Sequence, residues 1–152
     1  MGDGIDMPLM FKHINRELEM HIKAWHGDEE TKRRIAIDNL DEYYSFVNSC
    51  LDYFIWAVCD ENELIGELCA EMIDYQTVGI SYVINPQKRN QGYCKRMLKE
   101  MLELKELACI HFFEAWVDSD NEPSMKCLEN VGFIRQQEES DEDLLHYVYI
   151  KG

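Results

Sequence analysis

The chain has 152 residues with 30 acidic and 15 basic side chains, so its formal net charge is −15 and neither nucleic acid nor an anionic membrane is expected as a partner. The same acidity favours a cationic substrate. The longest apolar run, residues 53–59, is much shorter than the roughly 20 residues that cross a bilayer. Six cysteines form no Cys-x-x-Cys pair and five histidines show no ligand spacing, so we expect no metal site and mostly buried, reduced thiols, as in a cytoplasmic protein.

The first third of the chain predicts one strand followed by helices. Residues 1–7, with two glycines and two aspartates, read as a loose leader. Apolar residues at helical spacing after Asn15, a favourable N-cap, indicate a helix to about Trp25. The remaining expectations here are a first strand at 9–14, a short helix or loop at 29–34, and a helix capped by Asp38 or Asn39 that ends near Cys50.

The middle of the chain predicts three strands and then a helix. Residues 53–59 and 63–73 bracket the polar turn 60–62 and read as a hairpin. β-Branched and aromatic residues alternate over 78–84, and Pro86 ends that strand. After a basic turn at 87–93, apolar residues from Cys94 to Leu107 repeat at helical spacing and predict one long amphipathic helix.

The last third predicts a strand, a helix and a final hairpin. Residues 109–117 are rich in aromatic and apolar side chains, which is typical of a central strand. Asn121 is the expected N-cap of the next helix, and Gly132 ends it. Residues 133–137 and 144–150 flank an acidic turn and complete the hairpin. No linker or repeat interrupts the sequence, so we expect one domain over residues 1–152.

The basic turn has the features of a phosphate site. A helix start presents unpaired backbone N–H groups, and Gly92 lets an anion approach them without a Cβ in the way. Residues 88–105 contain six Lys or Arg against two Glu, a positive window in an acidic chain. The turn matches neither a P-loop nor a dinucleotide fingerprint, and an ordinary strand-to-helix connection with a solvated basic face remains the alternative.

Two motifs in this sequence are similar to those of the GNAT superfamily of acyl-CoA N-acyltransferases. Residues 89–94, Arg-Asn-Gln-Gly-Tyr-Cys, resemble its R/Q-x-x-G-x-G/A pyrophosphate loop, with Cys94 at the second small position. About thirty residues later, Asn121-Glu122-Pro123-Ser124 and the Gly-Phe at 132–133 resemble its second signature. The two motifs occur in the family's order, which makes the pair more specific than either motif alone.

The resemblance implies both the fold and the donor site. The expected α/β fold is a mixed, mostly antiparallel sheet of six to seven strands flanked by about four helices, with a splayed central strand pair. In that fold acetyl-CoA is the co-substrate and its pantetheine arm enters the splay. Transferred by position, the cofactor-binding residues are Tyr82, Val83, Ile84, Arg89, Asn90, Gln91, Gly92, Tyr93, Cys94, Lys95 and Asn121.

The catalytic acid is where this sequence departs from the common pattern. Many family members carry a tyrosine four residues after the Ser/Ala of the second motif, whereas this chain has Leu128. That resembles the subgroup around the ribosomal-protein alanine N-acetyltransferases, in which the serine is a proposed proton donor to the departing thiolate. The resemblance implies that Ser124 would take that role here. The competing interpretation is that its hydroxyl bonds only the backbone of the first helical turn.

Glu114 is the first candidate for the general base that removes the proton of the attacking amine. It lies on the predicted strand that leads to Asn121, on the same strand face as Trp116, where some family members carry a glutamate. Glu67 and Glu71 on the earlier hairpin are rivals, and a solvent-facing or ion-paired Glu114 is the alternative. Further titratable side chains in strands are those of Tyr82, His111, His146 and Tyr147.

The sequence therefore predicts an acetyl-CoA-dependent N-acetyltransferase. It would move an acetyl group to a primary amine of a small molecule or of a peptide or protein N-terminus, by direct attack in a ternary complex. The acceptor is expected to be cationic, and a homodimer is left open. A non-catalytic acyl-CoA-binding or sensor module of the same fold is the alternative, because the common tyrosine is absent at position 128.

Overall fold

The computed structural model describes residues 7–35, 37, 39–48, 52–137 and 143–152. Within them, seven strands and five α-helices follow one another, with three short 3₁₀ turns at Ala24–Gly27, Pro86–Lys88 and Lys105–Leu107. The strands are β1 (Met10–His13), β2 (Tyr53–Asp60), β3 (Glu63–Asp74), β4 (Thr77–Ile84), β5 (Phe112–Asp118), β6 (Ile134–Arg135) and β7 (Leu144–Ile150). The helices are α1 (Arg16–Lys23), α2 (Glu29–Arg34), α3 (Leu40–Asn48), α4 (Tyr93–Met101) and α5 (Glu122–Val131).

The strands form one sheet in the order β1-β2-β3-β4-β5-β7-β6. Neighbouring strands run antiparallel except β4 and β5, which pair in parallel at the centre. The chain crosses from β4 to β5 through α4, as a parallel connection requires. The predicted mixed, mostly antiparallel α/β fold is confirmed, with five α-helices in the described ranges where about four were expected.

Helices cover both faces of the sheet. The larger core lies between one face and the helices α4 and α5, and it includes Trp56, Leu68, Met97 and Phe113, all fully buried. On the other face, Ile22 of α1 and Trp25 pack against β2 and β4, while Tyr44 of α3 packs against β2 and β3. Successive strand residues point to opposite faces, so alternate residues of β4 face α4–α5 and α1–α3.

Local sequence signals place most helix ends. Asn15, Asp28, Asn39 and Asn121 each accept a hydrogen bond from a backbone N–H of the helix that follows. Gly132 ends α5 in the left-handed conformation with φ +118°. The segment at 29–34, which the sequence leaves open between helix and loop, is helical because Asp28 caps it. Asp38, the other predicted cap of α3, lies outside the described residues, as do Cys50, the segment 1–6 and most of the acidic turn at 138–142.

The predicted long helix from Cys94 to Leu107 is wrong in its second half. The α-helix ends at Met101, Leu104 is extended, and residues 105–107 form a separate 3₁₀ turn. Leu102 and Leu107 are nonetheless buried. The predicted burial of these side chains is therefore achieved with a backbone that is not α-helical. The strand predicted from Cys109 begins only at Phe112.

Three of the thiols lie as predicted, since Cys59, Cys69 and Cys127 are buried. Cys94 is half-buried, and Cys109 is exposed because it lies in the turn before β5. No helix in the described part of the chain is long and apolar enough to cross a membrane. Across the same residues, no group of three or more His, Cys, Asp or Glu side chains is arranged to hold a metal ion.

Candidate active site

The central strands separate at one end of the sheet. β4 and β5 pair over four residues, from Thr77 with Phe112 to Ile80 with Ala115, and the pairing stops there. On its other edge β4 continues to pair with β3 as far as Ile84. The last four residues of β4 therefore lack a strand partner on the β5 side, and their backbone groups face an opening. Tyr82, Val83 and Ile84, predicted to pair with a pantetheine arm, lie in this open segment.

The turn after β4 ends in an uncapped helix start. Gly92, the N-cap of α4, has φ +82° and makes no capping hydrogen bond through a side chain, while Asn90 also has a positive φ of 62°. A Cβ built on Gly92 would meet no atom within 4 Å, so the space in front of the turn is open. The first N–H groups of α4 therefore face an open surface with partial positive charge, which suits an anionic ligand.

The basic side chains around that turn are mostly engaged in ion pairs. Lys88 contacts Glu63, Arg89 binds Asp28 at 2.6 Å, and Arg96 lies 3.4 Å from Asp60. Lys95 is exposed, and no carboxylate of the described residues lies within ion-pair distance of it. The cationic window that the sequence predicts is therefore largely offset by acidic residues from other elements. Backbone N–H groups and Lys95 remain as the available donors to an anion.

Two hydroxyl groups bridge the opening on the α5 side. The side-chain oxygen of Asn121 accepts a bond from the backbone N–H of Ser124 at 3.4 Å, which fixes the first turn of α5. The Ser124 Oγ atom in turn lies 2.5 Å from the Tyr82 hydroxyl. Burial raises the pKa of Tyr82 well above its usual value, and nearby Cys94 adds to this. Leu128 is fully buried in the core and offers no proton donor, whereas this hydroxyl pair is an acid-capable group beside the open strand.

Glu67 is a buried carboxylate level with the open segment. It pairs in register with Val83 and is only 3% exposed. The Tyr44 hydroxyl donates a hydrogen bond to Glu67 Oε2 at 2.6 Å, and His26 Nε2 lies 3.5 Å from Oε1. Burial, followed by the charge of Glu67, raises the pKa of Tyr44 far above its ordinary range. The Tyr44 hydrogen bond holds the carboxylate in one orientation, whereas neither ring nitrogen of His26 makes a hydrogen bond within the described residues.

A small cavity adjoins this carboxylate on the α1–α3 side of the sheet. Its volume is about 20 Å³, enough for a group the size of a water molecule or an amine nitrogen. The cavity is lined by His26, Ile35, Ile37, Tyr43, Glu67, Cys69, Ser81, Tyr82 and Val83. Three of these belong to the open part of β4, so the cavity connects Glu67 to the splay.

The other two predicted carboxylates lie level with the paired part of the strands. Glu114 is opposite Gly79 in the register, and Glu71 is opposite the same residue from β3. Glu114 Oε1 lies 3.0 Å from His146 Nε2, and the ring of Trp116 stacks on that histidine with centroids 4.1 Å apart. Glu114 thus shares the sheet face of Glu67 but sits before the strands separate. The described contacts do not test the sequence prediction that Glu114 is the base, and its position before the splay favours Glu67 for that role.

The sequence reasoning missed the partners of these groups. Tyr44, His26 and Asp28 come from helical segments far from the motifs in sequence, and no local pattern marks them. The Tyr82 side chain is the clearest example, because it joins Ser124 across 42 residues of sequence. The buried aromatic spacing of α3 indicates that Tyr44 faces the core, but it does not identify its hydroxyl partner.

Comparison with known proteins agrees with this fold. The family model described as "Acetyltransferase (GNAT) family" matches residues 15–133. The uncharacterized N-acetyltransferase YfmK of Bacillus subtilis is 28% identical over 132 residues, covering 86% of this chain and 88% of that protein. Spermidine N-acetyltransferase from Vibrio cholerae, solved with CoA and spermine, has a TM-score of 0.81 at 16% identity, over 93% of this chain and 95% of that one. Campylobacter jejuni PseH, solved with acetyl-CoA, has a TM-score of 0.76 at 13% identity, over 95% of this chain and 99% of that one.

Proposed function

The chain belongs to the acetyltransferase (GNAT) family, and from this premise we propose that it moves an acetyl group from acetyl-CoA to a cationic primary amine by direct attack in a ternary complex. Its class, an acetyl-CoA-dependent N-acetyltransferase, follows from the family. The observation that carries the proposed mechanism is the position of Glu67 and the Tyr82–Ser124 pair. They lie on opposite faces of the sheet, both beside the open segment of β4.

The donor would bind along the opening. The backbone N–H groups from Arg89 to Lys95 would hold the pyrophosphate at the uncapped start of α4. The pantetheine arm would pair with the free edge of β4 at Tyr82, Val83 and Ile84, as a strand pairs with a sheet edge. The Asn121 side-chain oxygen already caps α5, so its NH₂ group is the part left to meet the arm. The thioester would then lie between the two faces.

The amine would enter from the α1–α3 side. Glu67 would take its proton, directly or through a water molecule, because this carboxylate borders the cavity next to the splay. The hydrogen bond from Tyr44 would keep the carboxylate aimed at the cavity. On the opposite face, one hydroxyl of the Tyr82–Ser124 pair would donate a proton to the departing thiolate. Placing amine and thioester together supplies much of the remaining acceleration.

Charge supports a cationic acceptor. The chain carries a net charge of −15, and the cavity contains the buried carboxylate of Glu67. A second, wider cavity of about 370 Å³ lies between α1 and α3, and its lining carries two acidic residues, Glu19 and Asp41, against one basic residue, Arg16, together with Tyr44 and Ser45. Asp41 is also paired with Lys23, so the acidic excess of this cavity is small. Tyr44 links the two cavities because its hydroxyl contacts Glu67. The spermidine N-acetyltransferase of similar fold makes polyamines the first acceptors to test.

A homodimer, a cytoplasmic location and the ribosomal-protein alanine subgroup stay predictions.

A panel of acceptors with acetyl-CoA tests the proposal. Release of the CoA thiol would be followed with polyamines, aminoglycosides, peptides with a free N-terminus, and neutral primary amines. We expect turnover with at least one cationic amine and a lower kcat/KM for a neutral amine of similar size. Tight acetyl-CoA binding with no turnover on any amine would instead favour the non-catalytic acyl-CoA-binding module. Turnover that ignores acceptor charge would contradict the cationic acceptor alone.

A further inference from the structure

Two thiols that the proposed mechanism does not use lie in contact at the donor side of the opening. Cys94 is the second residue of α4, and Cys127 lies in the middle of α5. Their Sγ atoms are 2.8 Å apart. A disulfide bond is about 2.05 Å long, so less than about 1 Å of approach separates the thiols from a bond. No other two cysteines of the described residues have their sulfur atoms in contact.

The environment distinguishes the two sulfur atoms chemically. Their mutual hydrogen bond lowers the pKa of Cys127, against the effect of burial, and the positive charge of Lys95 also lowers it. The same contact, with burial, raises the pKa of Cys94. Cys127 is therefore the thiol that loses its proton first, and the thiolate is the form that reacts with oxidants. Cys127 is only 7% exposed, which admits a small oxidant more readily than a bulky one.

We propose that Cys94 and Cys127 form a reversible disulfide when the protein is exposed to a peroxide, and that this bond lowers the affinity of the donor site for acetyl-CoA. The Cys127 thiolate attacks one oxygen of hydrogen peroxide. The O–O bond breaks, Cys127 becomes a sulfenic acid, and the departing hydroxide takes up the proton that the Cys127 thiol had released, giving the first water. The Cys94 sulfur then attacks the Cys127 sulfur, the S–O bond breaks, and the hydroxide released takes the Cys94 proton to give water. Two thiols and one peroxide thus give one disulfide and two waters, and a dithiol reverses the change.

The position of the pair explains the expected effect. The backbone N–H of Cys94 belongs to the turn proposed to hold the pyrophosphate, and Cys127 is one helical turn beyond Ser124. Drawing the sulfur atoms together ties the first turn of α4 to α5 at the level of the Tyr82–Ser124 pair. We expect acetyl-CoA affinity to fall by at least about threefold. This effect rests on the proposed donor site, whereas formation of the disulfide does not.

Peptide mapping after oxidation tests the proposal. The purified protein would be treated with hydrogen peroxide, its free thiols alkylated, and its disulfide-linked peptides identified by mass spectrometry. We expect a Cys94–Cys127 link in the wild type and in Cys109→Ser, an exposed-thiol control, and no such link in Cys94→Ala or Cys127→Ala. Alkylation of both Cys94 and Cys127 after peroxide treatment would overturn the proposal. That result in the wild type does not depend on whether a variant folds.

Calorimetry with acetyl-CoA then tests the effect on the donor site without needing any amine acceptor. The affinity of the oxidised wild type should fall and return after dithiothreitol. Oxidised Cys127→Ala should bind as its reduced form does. A quantitative Cys94–Cys127 link with unchanged affinity would overturn the claimed effect on the donor site. Loss of amine turnover in the fully reduced protein would bear on the proposed function and not on this inference.

Discussion

Arg89 Nη2 donates a hydrogen bond to Asp28 Oδ2 at 2.6 Å and thereby joins the turn before α4 to the start of α2. The same carboxylate oxygen accepts the backbone N–H of Thr31 at 3.1 Å, so one aspartate both caps α2 and holds the arginine. The pair connects the proposed donor turn with the helical segment on the acceptor side. Arg89 therefore connects two segments of the structure, and a bound phosphate would have to compete with the Asp28 carboxylate for the Arg89 guanidinium.

This pair predicts a pH-dependent contribution to stability. The hydrogen bond from Arg89 is the largest cause that lowers the pKa of Asp28 below 3.8, and the helix cap is the next. A lowered folded pKa means that the stabilisation is complete above the unfolded pKa, near 3.9, and is lost as the pH falls through the folded value. Asp28→Asn keeps a good cap but removes the charge. It should cost up to about 1 kcal/mol at neutral pH, since the pair is partly exposed.

Urea unfolding at about pH 7 and about pH 3 would measure this difference. The stability gap between wild type and Asp28→Asn should shrink at the lower pH. Arg89→Gln, which removes the partner, should show the same trend. An equal gap at both pH values would contradict a contribution from the ion pair, because Asp28→Asn keeps the cap.

Gly92 predicts different costs for two substitutions. Its φ of +82° makes any other residue strained, by roughly 1–2 kcal/mol, whereas no protein atom blocks a Cβ. If the pyrophosphate approaches this backbone, Gly92→Val should weaken acetyl-CoA binding by at least about tenfold, or 1.4 kcal/mol, and Gly92→Ala by less. Calorimetry would measure affinity, and circular dichroism would confirm that both variants fold. Unchanged affinity in a folded Gly92→Val protein would remove the turn from the donor site.

Lys95 should account for most of the dependence of CoA affinity on salt concentration. Lys88 and Arg89 are engaged in ion pairs, whereas Lys95 is exposed beside the turn. Charges in water are screened over about 8–10 Å at physiological salt, so CoA affinity should fall as ionic strength rises. Lys95→Ala should flatten that slope more than Lys88→Ala does, and more than Lys99→Ala, a control at the far end of α4. Dephospho-CoA should lose less affinity with salt than CoA. Equal slopes for the two ligands would leave the basic residues as a solvated helix face.

The Tyr82–Ser124 pair predicts coupled effects on turnover. Tyr82→Phe and Ser124→Ala each remove one hydroxyl from a 2.5 Å contact and keep the surrounding packing. Each should lower kcat by about tenfold or more with little change in acetyl-CoA affinity, and the double variant should lose little beyond the worse single one. Tyr147→Phe is the matched control, because its buried hydroxyl bonds Glu129 of α5 at 2.7 Å, away from the open strand. A kcat in Tyr82→Phe as high as in Tyr147→Phe would exclude the phenol as a proton donor.

Signals confined to a few adjacent residues were predicted well from the sequence. Asn15 and Asn121 cap helices, Gly132 ends α5 with a positive φ, and the alternation over residues 78–84 is a strand. Each depends on local backbone geometry, which neighbouring residues determine. The end of α4 was not predicted, because buried Leu102 and Leu107 fit a helical pattern that a 3₁₀ turn also satisfies. Periodicity indicates which side chains are buried and does not determine the backbone that buries them.

Side-chain pairs between segments that are distant in the chain could not be predicted from the sequence. A count of charges around residue 92 gives a cationic window, yet Asp28 and Glu63, 61 and 25 residues away from their partners, offset two of its charges. The choice among the three glutamates likewise depends on where β4 leaves β5. The residue at which β4 stops pairing with β5 depends on strand register and helix packing, and a single sequence does not specify either.

The register of the splay leads to the decisive catalytic prediction. Glu67 is level with Val83 in the open part of β4, whereas Glu114 is level with Gly79 where the strands still pair. Glu67→Gln keeps the shape and removes the base, so kcat should fall roughly 10²-fold or more. Glu114→Gln is the matched control and should keep most of the activity. Acetyl-CoA affinity should change in neither variant, since neither carboxylate borders the turn at Gly92.

Stopped-flow assays of CoA release, with calorimetry for the donor, would separate the possible results. Tyr44→Phe should lie between wild type and Glu67→Gln, because it removes the 2.6 Å hydrogen bond that orients the carboxylate but leaves the carboxylate in place. A large loss in Glu114→Gln with normal turnover in Glu67→Gln would return the base to β5, where the sequence first placed it. Normal turnover in both variants would mean that the amine proton goes to bulk water and that the site works by positioning amine and thioester together.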